Sequence, residues 1–416
     1  MEAYVTHFAE AGPLAGAAAE GDEEMALEQL RQTFSERYGS EPVLQVISPG
    51  RTEIAGNHTD HEGGHVIAAA VDRAVTGLFR ANGTDQIHLL SEGFGEVTVD
   101  LGDLDPREDE RATTASLVRG MAALFAQRGF ALAGFDAACV SEVLGGSGLS
   151  SSAAFELLLA QAMNALWADG ALADDELAMM AQRCEREWFG KPCGLMDQAA
   201  VALGGVQHMD FSKPGVLAAD GLDFDFGEAG YAVCIVAVGA DHAANTDDYA
   251  AVPAEMQDVA RELGAEVLSQ VGEDDVIAAL PALRASVGDR AVLRALHYFR
   301  EERLVAGRAD ALRAGDVDRF LELTRLSGAS SAMYLQNVSI GGSSEQPSMV
   351  AIALAEELLG GRGAVRVHGG GFGGTIQAFV PLGAVEGFCA GMDAAFGAGA
   401  CGVYGVDHEG ARFSWL

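Results

Sequence analysis

Gly145-Gly146-Ser147-Gly148-Leu149-Ser150-Ser151-Ser152 stands between an apolar, strand-like run at 135–143 and a strongly helical run at 153–168. A strand, a loop of small residues and a helix start together make a cradle for an anion. Glycine and serine let backbone N–H groups approach a ligand, and the helix that follows adds its positive dipole end. Three consecutive serines add hydroxyls for a phosphate or a metal ion. A plain glycine-rich turn with serine caps is the structural alternative, and it leaves the number of small residues at one helix start unexplained. The usual P-loop is excluded. It needs Gly-Lys followed by Ser or Thr, and Gly190-Lys191 is followed by Pro192.

Working outward, residues 43–47 read as a strand that ends in a turn at Pro49-Gly50, and 67–75 and 85–99 read as further strands. The spacing of Leu117, Met121, Leu124 and Phe125 predicts a helix over 114–130 with those residues facing inward. Residues 1–40 are acidic and helix-like. The Gly- and Asp-rich segment 214–230 is read as a boundary between domains 1–214 and 215–416. Beyond it come a buried strand at 231–238 and helices at 252–271, 290–306 and 348–359. Strands at 364–368 and 375–380 flank a glycine cluster. Strands and helices mix without strict βαβ alternation, which predicts an α+β fold with two lobes.

The net charge of −35 carries its own exclusions. Only Lys191 and Lys213 are lysines, and a chain this acidic lacks the cations that displace counterions from nucleic acid. The longest apolar stretches fall short of the roughly 18–20 residues that span a bilayer. The start Met1-Glu2-Ala3-Tyr4 has no positive segment, so no signal peptide is expected. Six scattered cysteines without a CxxC pair read as reduced thiols in a cytoplasm, most of them buried filler.

Three more segments carry polar chemistry. Gly369-Gly370-Gly371-Phe372-Gly373-Gly374 formally fits GxGxxG, but a strand-like run follows where a dinucleotide fold needs a helix. A glycine loop between two strands, packed close to a ligand or another backbone, fits better. The segment from Arg51 to His61 is dense in Arg, Asn, His and Asp, which suits a polyhydroxylated ligand. Zinc on His58, His61 and His65 lacks a supporting cysteine pair. In Cys193-Gly194-Leu195-Met196-Asp197-Gln198, Asp197 begins an apolar stretch and is either a helix cap or a functional acid.

Taken in order, these four segments resemble the GHMP kinases, and among them the galactokinases. Pro49-Gly50-Arg51, with Gly56-Asn57-His58-Thr59-Asp60-His61-Glu62-Gly63-Gly64, is similar to the galactokinase signature. Gly146–Ala153 is similar to the family's phosphate loop, Cys193–Gln198 to its catalytic segment and Arg366–Gly374 to its third motif. The resemblance implies an N-terminal mixed α/β lobe and a C-terminal lobe of antiparallel sheet and helices, with the site between them. It implies ATP with Mg²⁺, a sugar as the other small-molecule partner, and phosphoryl transfer to the anomeric hydroxyl of galactose. A cytoplasmic monomer or weak homo-oligomer is expected. By resemblance, Asp197 is the catalytic base and Arg51 its partner. Gly146, Ser147, Gly148, Leu149, Ser150, Ser151 and Ser152 hold the ATP phosphates. Ser152 and Glu185 hold Mg²⁺. Asn57, His58, Asp60, Gly194 and Tyr249 contact the sugar.

Asn57 stands where galactokinases usually carry the Glu that contacts the C6 hydroxyl, and His61 stands in place of a Tyr. Leu144 and Ala68 stand where prolines are common. A Glu about 4 Å from a C6 carboxylate would repel it by ~4 kcal/mol at an effective dielectric of 20, and Asn removes that barrier. A galacturonokinase-like enzyme is therefore the second expectation. A non-catalytic sugar-binding regulator is the third, and it would be expected to lose Asp197, Arg51 or the metal ligands.

Overall fold

The computed structural model describes residues 20–143, 145, 148–213, 215–239 and 246–416. Its strands are β1 (Leu44–Ala55), β2 (His65–Ala81), β3 (Gln86–Ser91), β4 (Gly95–Asp100), β5 (Phe135–Ser141) and β6 (Val206–Asp210), then β7 (Ala218–Leu222), β8 (Tyr231–Ala237), β9 (Ala364–Val367), β10 (Thr375–Pro381), β11 (Cys401–Tyr404) and β12 (Arg412–Trp415). The first sheet runs β12-β1-β2-β5-β3-β4, with β6 on β2 and β7 on β6. It is mixed, because β3 and β5 are parallel while the other pairs are antiparallel. The second sheet, β11-β8-β10-β9, is antiparallel. The expected α+β class with a mixed sheet and a separate antiparallel sheet is what the chain forms.

The long strand β2 organises the first sheet. Its first half pairs with β6 and its second half with β5, while β1 occupies the opposite edge. Small and β-branched residues at Val66–Val71 are buried, as a strand covered on both faces requires. The helices Thr114–Gln127 and Ser151–Ala168 pack on this sheet, and Asp174–Cys184 packs on those helices. Leu117, Met121, Leu124 and Phe125 face inward as their spacing predicts. A second core joins the sheets through Ile54, Ile67, Val233, Phe320 and Phe379.

Several expectations need correction. The turn at Pro49-Gly50 does not form, and β1 continues through it with a register shift between Pro49 and Arg51. β12 covers β1 only as far as Ile47, so the missing proline N–H breaks no ladder on that side. Beyond that point the glycine–serine loop takes over the edge, and Arg51 N–H donates to Leu149 O at 3.0 Å. The 85–99 run is a hairpin, β3 and β4, turning at 92–94. The helix expected at 252–271 is Thr246–Glu262, and shorter helices Glu273–Ala278 and Leu280–Ser286 follow it. Helices Val317–Ser330 and Val385–Phe396 and strand β12 were not anticipated. A division at 214/215 separates β7 and β12 from the sheet to which both belong, because backbone pairing crosses that point twice.

Candidate active site

Asp197 lies in the first turn of the short helix Met196–Leu203. Its Oδ1 accepts from Arg51 Nε at 2.7 Å, and its Oδ2 accepts a short hydrogen bond from the Ser150 hydroxyl. Arg51 also donates through a second guanidinium nitrogen to Gly148 O at 2.5 Å. One arginine on β1 thus ties the glycine–serine loop to the carboxylate. Asp197 is therefore not a helix cap. Burial pushes its carboxyl up, but the charge and hydrogen bond of Arg51, the Ser150 hydroxyl and Lys191 hold it below the ordinary aspartate range. It is ionised at neutral pH.

The loop presents its backbone at the N-terminus of the helix Ser151–Ala168. Ser150 sits at φ 58°, a left-handed conformation uncommon outside glycine, and its side chain turns to Asp197 instead of capping the helix. Leu149 is buried in the core, so it can serve a ligand only through its backbone. Gly146, Ser147 and Leu144 lie outside the described residues.

A carboxylate pair lies behind the loop. Gln198 Nε2 donates to Glu185 Oε2 at 2.9 Å and to Glu156 Oε2 at 3.0 Å. Glu185 Oε1 accepts from Lys191 Nζ at 2.9 Å. Glu185 opens a single π turn, Glu185–Phe189, a local irregularity often found where a side chain must be re-aimed. Burial, and then the nearby charge of Glu185, push the Glu156 carboxyl well up. Glu156 follows Ser152 by four residues and shares its helix face. The line Ser152, Glu156, Gln198, Glu185 is a set of hard oxygen donors, and buried Glu156 Oε1 is unpartnered among the described residues. That chemistry fits a hard divalent cation. The sequence reading missed Glu156, although a glutamate inside an otherwise apolar helix was the available signal.

A second group gathers around the turn after β1. His58 takes φ 63°, and its Nε2 donates to Gly370 O at 3.0 Å. Burial lowers the imidazole to about 3, so it is neutral, and its buried Nδ1 is an acceptor with no partner among the described residues. The Tyr249 ring lies against His58, tilted by 55°, with ring centroids 5.4 Å apart. Tyr249 is 43% exposed, but desolvation of its phenol, then Asp60 and Asp197, push it up to about 12. Two glycines make this packing possible. A Cβ at Gly370 would collide with the Tyr249 ring, and one at Gly194 would collide with Asp60 Oδ2. The structure thus brings His58, Asp60, Gly194 and Tyr249 together.

Asn57 is placed differently from the expected sugar contact. It is fully buried. Its Nδ2 donates to Gly369 O at 2.6 Å, and its Oδ1 accepts from Asn337 at 2.7 Å and Ser331 at 3.2 Å. Those bonds fasten the second glycine segment, Gly369–Gly374, which the sequence correctly read as a loop between strands, here β9 and β10. His61 and His65 gather no metal set with His58. His65 instead pairs with Glu302 at 2.7 Å and lies 3.6 Å from Asp210.

A buried ionic stripe, also missed, holds this turn from behind. On the helix Asp289–Ala314, Glu301 pairs closely with Arg308, and both are fully buried. Glu301 Oε1 also accepts from Gly56 N–H at 3.3 Å and Ser327 at 2.8 Å. His297 meets Asn57 O at 3.2 Å. Arg366 adds a pair with Glu53 at 2.5 Å and a bond to Ile54 O at 3.0 Å.

The chain is similar to known proteins over most of its length. Residues 116–205 match the GHMP kinases N terminal domain, and residues 32–81 match the galactokinase galactose-binding signature. The galactokinase of Streptomyces coelicolor is 32% identical over 371 residues, which is 88% of this chain and 92% of that protein. The galactokinase of Roseiflexus is 30% identical over 372 residues, covering 86% and 89%. The fold of Lactococcus lactis galactokinase, solved with galactose, superposes at a TM-score of 0.79 with 24% identity, over 94% of this chain and all of that one. A mevalonate kinase superposes at 0.59 with 15% identity, over 89% and 98%. The fold and the glycine–serine loop are therefore those of a GHMP kinase. Within that class, the chain belongs to the galactokinase family.

Proposed function

We propose that this chain is an ATP-dependent sugar kinase that transfers the γ-phosphoryl group to the anomeric hydroxyl of galactose, giving galactose 1-phosphate. The Arg51–Asp197 pair carries the reading, because it sits where the phosphate loop and the polar sugar turn converge. The amides around Gly148–Ser152 face the phosphates. Asp60, the Tyr249 hydroxyl and the free Nδ1 of His58 offer two acceptors and a donor to sugar hydroxyls, and Gly194 leaves room for the ring. Asp197 orients the attacking hydroxyl and takes its proton as the new P–O bond forms. A carboxylate held low accepts that proton late, when the bonded hydroxyl has become acidic. Arg51 keeps it ionised and offsets charge on the transferring group.

Mg²⁺ would be held by Ser152 and Glu185, and when bound it would neutralise phosphate charge and fix its orientation. Lys191 pairs with Glu185 at 2.9 Å. Replacing Glu185 by Gln turns a charged ligand into a neutral one, a difference of about 1–1.5 kcal/mol. The half-saturating Mg²⁺ concentration should rise roughly five- to tenfold. An unmoved titration would remove Glu185 from the metal site.

Asn57 bears on substrate choice. With its amide spent on Gly369, Asn337 and Ser331, it holds the glycine segment and does not read C6. Asn57→Asp turns the donor facing Gly369 O into an acceptor and should cost about 1–3 kcal/mol of stability. The ratio of kcat/KM for galactose over galacturonate should stay unchanged. A large rise in that ratio, from repulsion of the C6 carboxylate by the new aspartate, would put residue 57 at C6 and revive the uronate reading. A regulator without activity is not favoured, since Asp197, Arg51, Ser152 and Glu185 are all present. Among the described residues no helix is long and apolar enough to cross a membrane. The test of function is ATP consumption with galactose, galacturonate, N-acetylgalactosamine and arabinose. Galactose should lead, and consumption that ignores added sugar would sink the reading.

A further inference from the structure

Cys234, Cys389 and Cys401 are far apart in sequence and meet in space. Cys234 on β8 pairs with Val403, and Cys401 on β11 pairs with Val236, so the two thiols are diagonal neighbours on one face of the second sheet. The helix Val385–Phe396 packs on that face and delivers Cys389. All three sulfurs lie within 4.8 Å of one another, with Cys389 and Cys401 at 3.1 Å. Cys234 and Cys401 are buried, and Cys389 is partly exposed. The surroundings are apolar, including Ile376, Ala378, Phe388 and Met392. Nothing in the phosphoryl-transfer site uses these thiols.

We propose that these three cysteines form a site for a single thiophilic cation of the Zn²⁺ or Cu⁺ class, bound through three sulfurs with an open position beside Cys389. Metal–sulfur bonds of about 2.3 Å set three sulfurs about 3.8 Å apart, inside the observed spread. A disulfide would need Cys389 and Cys401 to close to about 2.05 Å and would leave Cys234 without a role. Binding displaces the protons that the thiols carry. Asp393 fixes the second ligand from outside the sulfur set. Its carboxylate accepts from Cys401 N–H at 2.9 Å and Gly399 N–H at 3.1 Å, holding the entry to β11 in place. Soft sulfur without a nitrogen or oxygen ligand selects a thiophilic ion over Mg²⁺.

The test is anaerobic titration of the reduced, full-length protein with Co²⁺, standing in for Zn²⁺, and separately with Cu⁺. One equivalent of either ion should bind, with a sulfur-to-metal charge-transfer band whose intensity in the Co²⁺ form reports three thiolates. Cys389→Ser, on the partly exposed helix, should weaken binding at least a hundredfold while circular dichroism and galactose-dependent ADP release stay as in the wild type. Cys401→Ser should do the same to the metal band. Absence of a charge-transfer band with both ions would overturn the site, as would a band that persists in Cys389→Ser. Loss of two thiols to a Cys389–Cys401 disulfide under mild oxidation, with no metal uptake by the reduced protein, would overturn it in favour of a redox pair.

Discussion

Asp197→Asn is expected to fold, to retain sugar and ATP binding, and to lose turnover by ~10²–10⁴-fold, the range typical of a positioned proton acceptor. The substitution keeps the shape and removes the charge. It also leaves Arg51, anchored to Gly148 O, without its anionic partner. The loss should therefore fall on kcat, with KM for galactose nearly unchanged. In the wild type, the acid limb of kcat/KM should lie below the ordinary aspartate range. Arg51 depresses the Asp197 pKa, so the ionised form persists as pH falls until that lowered value is crossed. Near-wild-type turnover of a folded Asp197→Asn variant would instead mean that positioning and electrostatics alone drive transfer, which phosphoryl chemistry allows.

Glu301→Ala should be the most destabilising single change outside the site, at about 3–5 kcal/mol. Burial pushes the Glu301 carboxyl up, but Arg308 first, then His297 and Arg366, bring it down to about 2, so it is a true anion in the core. Removing it leaves Arg308 charged and buried, and takes the acceptor from Gly56 N–H at the start of the sugar turn. Glu301→Gln keeps the shape and part of the hydrogen bonding, and should fall between the two. The urea midpoint measures both, and a midpoint for Glu301→Ala within error of the wild type would show that the core pays nothing for this ion. Because the carboxyl is depressed in the folded state, its contribution is present above the unfolded pKa and is lost as pH falls toward about 2.

Much of this was legible in the sequence. Chemistry confined to short contiguous segments could be read, because the chain itself fixes the neighbours. The glycine–serine loop between strand and helix, the apolar stripe of Leu117, Met121, Leu124 and Phe125, and the strand after Gly374 are of that kind. Arg51 pairs with Asp197 as the resemblance implies, but its place on an unbroken strand was not legible. The edge of β1 beyond Ile47 is filled by a loop about a hundred residues later, and no local signal at Pro49-Gly50 reports that. Asn57 shows the same limit. Its donor and acceptors are met by Gly369, Asn337 and Ser331, all far along the chain. A polar residue in a polar loop is read as ligand-facing until its buried partners are known. The ionic stripe on Asp289–Ala314 did leave a trace. Arg294, His297, Glu301 and Arg308 recur at helical spacing on a face that otherwise carries Ala295, Leu304 and Val305. The three converging cysteines left none, because their spacing in sequence is set by three separate elements.

The central claim is that Arg51 and Asp197 direct the γ-phosphoryl group to the anomeric oxygen of galactose. ³¹P NMR of purified protein with galactose, ATP and Mg²⁺ tests it most directly. The account predicts a sugar phosphomonoester whose phosphorus couples to the anomeric proton, appearing in step with ADP and absent from Asp197→Asn. A phosphomonoester on any other oxygen, or ADP with inorganic phosphate alone, would contradict it.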